Sequence, residues 1–263
     1  LSYGRLYLQS LGVKLPTVAW MIDTFGHGTT NMRIHSQMGY RSIVLTRIDF
    51  NIKDLLRTNN DLMMNWTLPS NPNYSMLVHE LGYFYMVVQP FSFFESYTGI
   101  REHLFPKTNI LNEDFNLNSV INHYVQELKK SEIGSPTRYI LSPFGGDNNF
   151  RHAHATFRLI DMITIFIKCN KFIYELDPFI SDLDEYYDLV QSENLSLSKI
   201  SQDFFPVVDD FDRSKDNGRV HTSWTGYFTT NPGYKHRSDS YTRNVRALMA
   251  MAAVNLAKNQ NKT

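Results

Sequence analysis

The chain has 263 residues, enough for one large domain or for one domain and part of another. Its 26 basic residues balance 26 acidic ones and no Lys/Arg block interrupts it, which argues against nucleic acid and anionic membranes as partners. Aromatic residues reach 14%, a supply of flat rings that suits either a large core or stacking on the C–H faces of sugars.

Tyr3, Leu6, Tyr7 and Leu11 recur at helical spacing before Gly12, so a helix is expected over 3–11. Residues 17–22 are apolar, rich in aromatic and β-branched side chains and too short for a helix, and read as a buried strand of a parallel sheet. Asp23 stands at the C-terminal end of that strand, the edge where parallel α/β folds collect their ligands. Gly26 and Gly28 leave the backbone free to turn there. Two roles are open for Asp23: a site residue, or a cap for the helix expected over 29–38. A second short strand over 42–45 delivers Thr46, Arg47 and Asp49 to the same edge, completing a strand–helix–strand unit. Arg47 can serve Asp23 or pair at the surface with Asp49 or Asp54.

Residues 59–73 are rich in Asn, Pro and Ser and are expected to form an exposed loop. An apolar, aromatic run over 83–94 follows, interrupted by Pro90. Residues 117–131 place Val120, Ile121, Tyr124, Val125 and Leu128 on one helical face, with Lys129 and Lys130 where the helix dipole favours cations. Another short strand is expected over 138–142, followed by Phe144-Gly-Gly-Asp147, so a second acid reaches the same kind of edge unless Gly146-Asp147-Asn148 is an ordinary turn. An amphipathic helix opens near Arg151-His-Ala-His154 and runs to Ile167, a strand is expected over 171–175 and an acidic helix over 180–190. Residues 209–218 are polar and read as a mobile insertion, and residues 245–256 as an amphipathic helix.

Several of these stretches carry a resemblance. Trp20-Met-Ile-Asp-Thr-Phe-Gly-His-Gly28, then Gln37-Met-Gly-Tyr40 and Leu45-Thr-Arg-Ile-Asp-Phe50, resemble a signature of the class II α-mannosidases, the zinc-dependent retaining enzymes of glycoside hydrolase family 38. Pro143-Phe-Gly-Gly-Asp147, Asp203-Phe-Phe-Pro206 and Trp224-Thr-Gly-Tyr-Phe-Thr-Thr-Asn-Pro232 match in the same order. The resemblance implies an incomplete seven-stranded β/α barrel over 1–235 and the first helix of a helical bundle domain over 236–263. It implies Asp23 as nucleophile and zinc ligand, Asp147 as general acid/base, and Phe25, Arg47, Phe94, Trp224 and Tyr227 as contacts to an oligosaccharide substrate. Where the family reads P-F-Y-S-Y-D, with a tyrosine hydroxyl near the nucleophile, this chain reads Pro90-Phe-Ser-Phe-Phe-Glu95, so Phe94 withdraws a hydroxyl. The Thr-Thr-Asn-Pro232 tetrapeptide likewise lacks the family's arginine.

The resemblance also implies one zinc ion whose other ligands, a His-x-Asp pair and a downstream His, are expected outside this segment, in the remainder of the polypeptide. It implies a lysosomal or other endomembrane lumen. Alternatives are an inactive fragment, a carbohydrate-binding derivative or, more distantly, a polysaccharide deacetylase, against which the missing His-x-x-x-His pair counts. His152 and His154 read as a solvated helix start, and Cys169 as a buried thiol. The apolar run 162–167 is bracketed by Asp161 and Lys168 and reads as core. Asn65, Asn73, Asn194 and Asn261 each open an Asn-x-Ser/Thr sequon, and any targeting segment is expected outside these residues.

Overall fold

The computed structural model describes residues 2–82, 85, 88, 117–147, 149–150, 153–210 and 221–260. Two compact units are distinguished, Leu1–Ser223 and Trp224–Thr263.

In the first unit, α1 (Ser2–Ser10) precedes β1 (Val18–Met21), α2 (Thr29–Gln37), β2 (Ser42–Leu45), α3 (Phe50–Thr58), β3 (Met63–Leu68) and β4 (Asn71–Glu80). Then come α4 (Leu117–Ser131), α5 (Ala153–Cys169), α6 (Lys171–Tyr174), α7 (Leu183–Ser192), β5 (Lys199–Ile200), β6 (Val208–Asp210) and β7 (His221–Ser223). The apolar stripe of α1 stays outside the core, with Tyr3, Leu6 and Tyr7 exposed.

Five strands form one sheet in the order β1-β2-β4-β3-β5. β1, β2 and β4 run parallel, as does β5 with β3, while β3 and β4 are antiparallel. The described strands thus make a parallel-rich open sheet, with β6 and β7 paired separately. Alternation sorts its side chains. Ala19, Ile43, Leu45, Met64, Trp66 and Val78 build one core with Met32 and Leu56. Val18, Val44, Met63 and Leu77 build another with Tyr186, Tyr187 and Val190 of α7. Burial on both faces is why β2 reads as an unbroken apolar run.

Three segments depart from expectation. The loop expected over 59–73 is a β-hairpin: Leu62, Met63, Met64 and Trp66 are at most 1% exposed, and the Asn/Pro/Ser character belongs to its turn and to the solvent-exposed start of β4. The strand expected over 138–142 makes no ladder. It is an irregular stretch whose Tyr139 and Leu141 lean on the core under α7 while Ile140 leans on the α4–α5 core. The strand expected over 171–175 is the single helical turn α6, closed by Glu175 in the left-handed region at φ 56°. Three apolar residues, Phe172 to Tyr174, do not by themselves distinguish those two forms.

Helix α4 buries Ile121, Tyr124, Val125 and Leu128, as its spacing requires, against Leu159, Ile163 and Ile167 of α5. Cys169, expected to be buried, is exposed. It lies two residues past Ile167 and so faces away from the stripe that packs on α4. In the second unit α8 (Pro232–Gln260) begins well before the expected helix, and Tyr241, Val245, Leu248 and Met249 along it are exposed. No described helix is long and apolar enough to cross a membrane.

Two buried polar groups that the sequence did not announce meet at the end of β4, one on each face of the strand. Lys53 Nζ pairs with Glu80 Oε1 at 2.7 Å, Tyr186 Oη lies 3.2 Å from His79 Nδ1, and His79 Nε2 faces Glu132 Oε2 at 3.9 Å. Burial pushes His79 from 6.5 down to about 4 and Glu132 from 4.5 up to about 8. As pH falls below 6.5 the unfolded chain protonates its histidine while folded His79 does not, which destabilises the fold down to pH 4. Glu132 acts oppositely: its folded carboxyl stays protonated while the unfolded one ionises above 4.5, so rising pH destabilises the fold up to about 8. Between 4.5 and 6.5 the two offset. Glu80, also raised by burial against the opposing pull of Lys53, adds in the same direction as Glu132. Stability is therefore expected to hold near pH 5–6 and fall from 6.5 to 8 by an amount on the order of 2 kcal/mol, and the melting temperature with it. Glu132→Gln should flatten that decline, as differential scanning fluorimetry across the pH range can check.

Candidate active site

The site grows from the C-terminal ends of parallel strands. Asp23 lies two residues beyond β1, and Arg47 two residues beyond β2, so the parallel register of Met21 on Leu45 brings them together. Arg47 Nε donates to Asp23 Oδ1 at 2.5 Å; the arginine side chain is 10% exposed and the aspartate 55%. The guanidinium also lies over the Phe25 ring, 4.8 Å from its centroid, a cation–π contact that fixes its plane. Asp49 is otherwise engaged, its side chain accepting from Asn51 N to cap α3, and Asp54 pairs with Arg57.

Asp23 does not cap α2. The first N–H of that helix, on Thr29, donates instead to Asp203 Oδ1 at 2.6 Å, a cap supplied from 174 residues away. The next residues finish a clamp. Phe204 exchanges two backbone hydrogen bonds with His27, of 3.2 and 2.8 Å, and the Phe205 ring covers Gly26 so closely that any Cβ there would collide with it. Gly26 also has φ 86°, and its N–H donates to Arg47 O at 3.4 Å. The Asp203-Phe-Phe-Pro206 motif therefore holds the loop that carries Asp23. His27 is 2% exposed, neither ring nitrogen finds a partner among the described residues, and burial lowers it to about 4, leaving a neutral imidazole.

Asp147 arrives from the stretch after α4. It is exposed, at a turn preceded by Gly145 at φ 133°, and Asn149 Nδ2 donates to its backbone carbonyl at 3.0 Å. What joins it to Asp23 is a residue the sequence did not single out. Tyr85 Oη lies 3.3 Å from Asp147 Oδ1 and 3.5 Å from Asp23 Oδ1, so those two oxygens are no more than 6.8 Å apart, the sum of the two lengths. Tyr85 is 6% exposed, and Arg47 stands 6.0 Å from its ring centroid. Burial first, then the charge of Asp23, raises its pKa, so the hydroxyl keeps its proton to donate. The available signal was position: Tyr85 follows β4, the third parallel strand, as Asp23 follows β1 and Arg47 follows β2. It was hidden inside a uniformly apolar run.

Phe94 lies outside the described residues, as does His152, while His154 is exposed in the first turn of α5. Trp224 and Tyr227 belong to the second unit, where their ring centroids are 5.8 Å apart. No group of three or more His, Cys, Asp or Glu side chains suited to a metal occurs among the described residues. Asp23 has Arg47 as its immediate neighbour, so these residues alone do not make a zinc site.

Comparison with known proteins decides the family. Residues 1–210 match the glycosyl hydrolases family 38 N-terminal domain. The chain belongs to that family. The family 38 chain is 25% identical to alpha-mannosidase F of Dictyostelium discoideum, over 95% of this chain and 24% of the relative. It is 26% identical to the lysosomal alpha-mannosidase of the same organism, over 99% of this chain and 24% of that protein. An alpha-mannosidase structure from Enterococcus faecalis V583 superposes with a TM-score of 0.46 at 13% identity, over 76% of this chain and 19% of the other. The family 38 chain thus spans about a quarter of the length of the curated relatives it matches.

Removing the Tyr85 hydroxyl takes away one hydrogen bond to charged partners, worth about 1.5–3 kcal/mol. Tyr85→Phe is expected to lower kcat/KM of the full-length protein about 10- to 100-fold, with little change in melting temperature. Steady-state kinetics beside a thermal melt separates the two effects.

Proposed function

We propose that this chain is the N-terminal catalytic portion of a retaining α-mannosidase that releases terminal α-linked mannose from N-glycans or free oligosaccharides in a lysosomal or other endomembrane lumen. The observation that carries the reading is the single tyrosine hydroxyl spanning Asp23 and Asp147, which puts two carboxylates from separate elements across a gap of sugar size. Retaining glycosidases hold such a pair roughly 5–5.5 Å apart. Asp23 attacks the anomeric carbon while Asp147 protonates the departing glycosidic oxygen. Asp147 then takes a proton from the water that opens the covalent intermediate. Arg47 holds Asp23 in line, Tyr85 donates between the two acids, and Phe25 offers its ring beside them.

In this reading the open sheet is part of a seven-stranded β/α barrel over 1–235, and 236–263 is the first helix of a helical domain. The zinc that the family resemblance implies draws its remaining ligands from outside the described residues, with Asp23 as the carboxylate offered here. The 263-residue chain alone is accordingly expected to give no turnover of an aryl α-mannoside in zinc-containing buffer. For the full-length protein, proton NMR during hydrolysis should show α-mannose forming first. Initial β-mannose, or no hydrolysis, would refute the reading.

A further inference from the structure

Three sequons fall among the described residues, and the fold treats them differently. Asn73-Tyr-Ser75 lies in the solvent-exposed first half of β4, where residues 71–75 are all exposed. The β3–β4 register breaks there: Thr67 pairs with Ser75 and Leu68 with Asn71, which leaves Asn73 without a cross-strand partner. Its backbone N–H is held locally by Asn71 Oδ1 at 3.1 Å, so the acceptor amide stands on an exposed irregularity of the strand. Asn194-Leu-Ser196 follows the C-terminus of α7. Asn194 is exposed in the left-handed region at φ 51°, and Ser196 is also exposed.

Asn65-Trp-Thr67 is the opposite case. Asn65 sits in an inner strand between Leu77 of β4 and Lys199 of β5, and its N–H donates to Ser198 O at 2.8 Å. On its face of the sheet it stands between Met63, fully buried, and Thr67, 4% exposed, whose hydroxyl donates to Ile200 O at 3.2 Å. Asn65 itself is half-buried, and a bulky glycan on it would crowd the β3–β5 pairing that flanks it.

We infer that Asn73 and Asn194 are N-glycan acceptors and that Asn65 is not. The donor is a lipid-linked oligosaccharide: the side-chain Nδ2 bonds to its anomeric carbon, the bond from that carbon to the lipid diphosphate breaks, and the amide gives up one proton as the diphosphate leaves. The inference rests on the lumenal placement proposed above, but not on the hydrolytic chemistry. Both acceptors are polar, exposed positions, the surface on which such a modification adds solubility without displacing core.

The test is the chain expressed behind a cleavable secretory leader in a eukaryotic host, recovered from the medium and treated with an amidase that converts glycosylated Asn to Asp in heavy-oxygen water. Peptide mass spectrometry should find heavy-oxygen Asp at 73 and 194, and unmodified Asn65. Ser75→Ala and Ser196→Ala, which leave each asparagine and its backbone conformation intact, should each remove one glycan from the gel mobility with no change in melting temperature. Secreted, folded chain lacking a glycan at either position, or carrying one at Asn65, would overturn the assignment. Mannoside hydrolysis is a separate readout, so loss of the enzymatic reading leaves this result standing.

Discussion

Asp23→Asn should lower kcat/KM of the full-length protein on an aryl α-mannoside by about 10³-fold or more, the scale of losing a covalent nucleophile rather than a binding contact. The carboxamide keeps the size of the side chain and can still meet Arg47 Nε, so the loop clamped by Asp203, Phe204 and Phe205 has no reason to move. Melting temperature should change little, because Asp23 is half exposed and its pairing with Arg47 contributes on the surface-pair scale. A loss of activity that travelled with a collapse in stability would instead mark Asp23 as a structural residue.

Asp147→Ala separates the two halves of the reaction. General acid catalysis is worth about 10²–10⁴-fold, and it matters most when the leaving oxygen is a poor leaving group. An unactivated disaccharide should therefore suffer the full loss. A dinitrophenyl mannoside, whose leaving group departs without a proton, should form the intermediate almost normally and then stall for want of a base. Added azide, which attacks without needing deprotonation, should restore turnover and yield the α-azide. Equal losses on both substrates with no azide rescue would remove Asp147 from the acid/base role.

The parts of this site that sequence made legible are those where local pattern and edge position agree. β1 and β2 are short apolar strands, β2 buried throughout and β1 in its first half, and each leads within two residues to a charged side chain, so Asp23 and Arg47 could be set side by side before any coordinates. Asp147 was reached through a strand that does not form: the backbone over 138–142 is irregular and makes no ladder. The β3–β4 hairpin was concealed because half of β4 lies in solvent and carries turn-like residues, while the burial of Met63, Met64 and Trp66 depends on strands distant in sequence. Tyr85 was concealed for the converse reason. Among Tyr83, Phe84, Tyr85 and Val88, nothing in composition tells which hydroxyl will stand between two acids. The capping of α2 by Asp203 likewise spans a separation that no periodicity reports.

Incubating the full-length protein with a 2-deoxy-2-fluoro mannosyl fluoride, which forms the glycosyl-enzyme quickly and hydrolyses it slowly, tests the central assignment most directly. Peptide mapping should place one fluorosugar on Asp23, with no label in Asp23→Asn. A label on Asp147, Asp203 or any other carboxylate would contradict it.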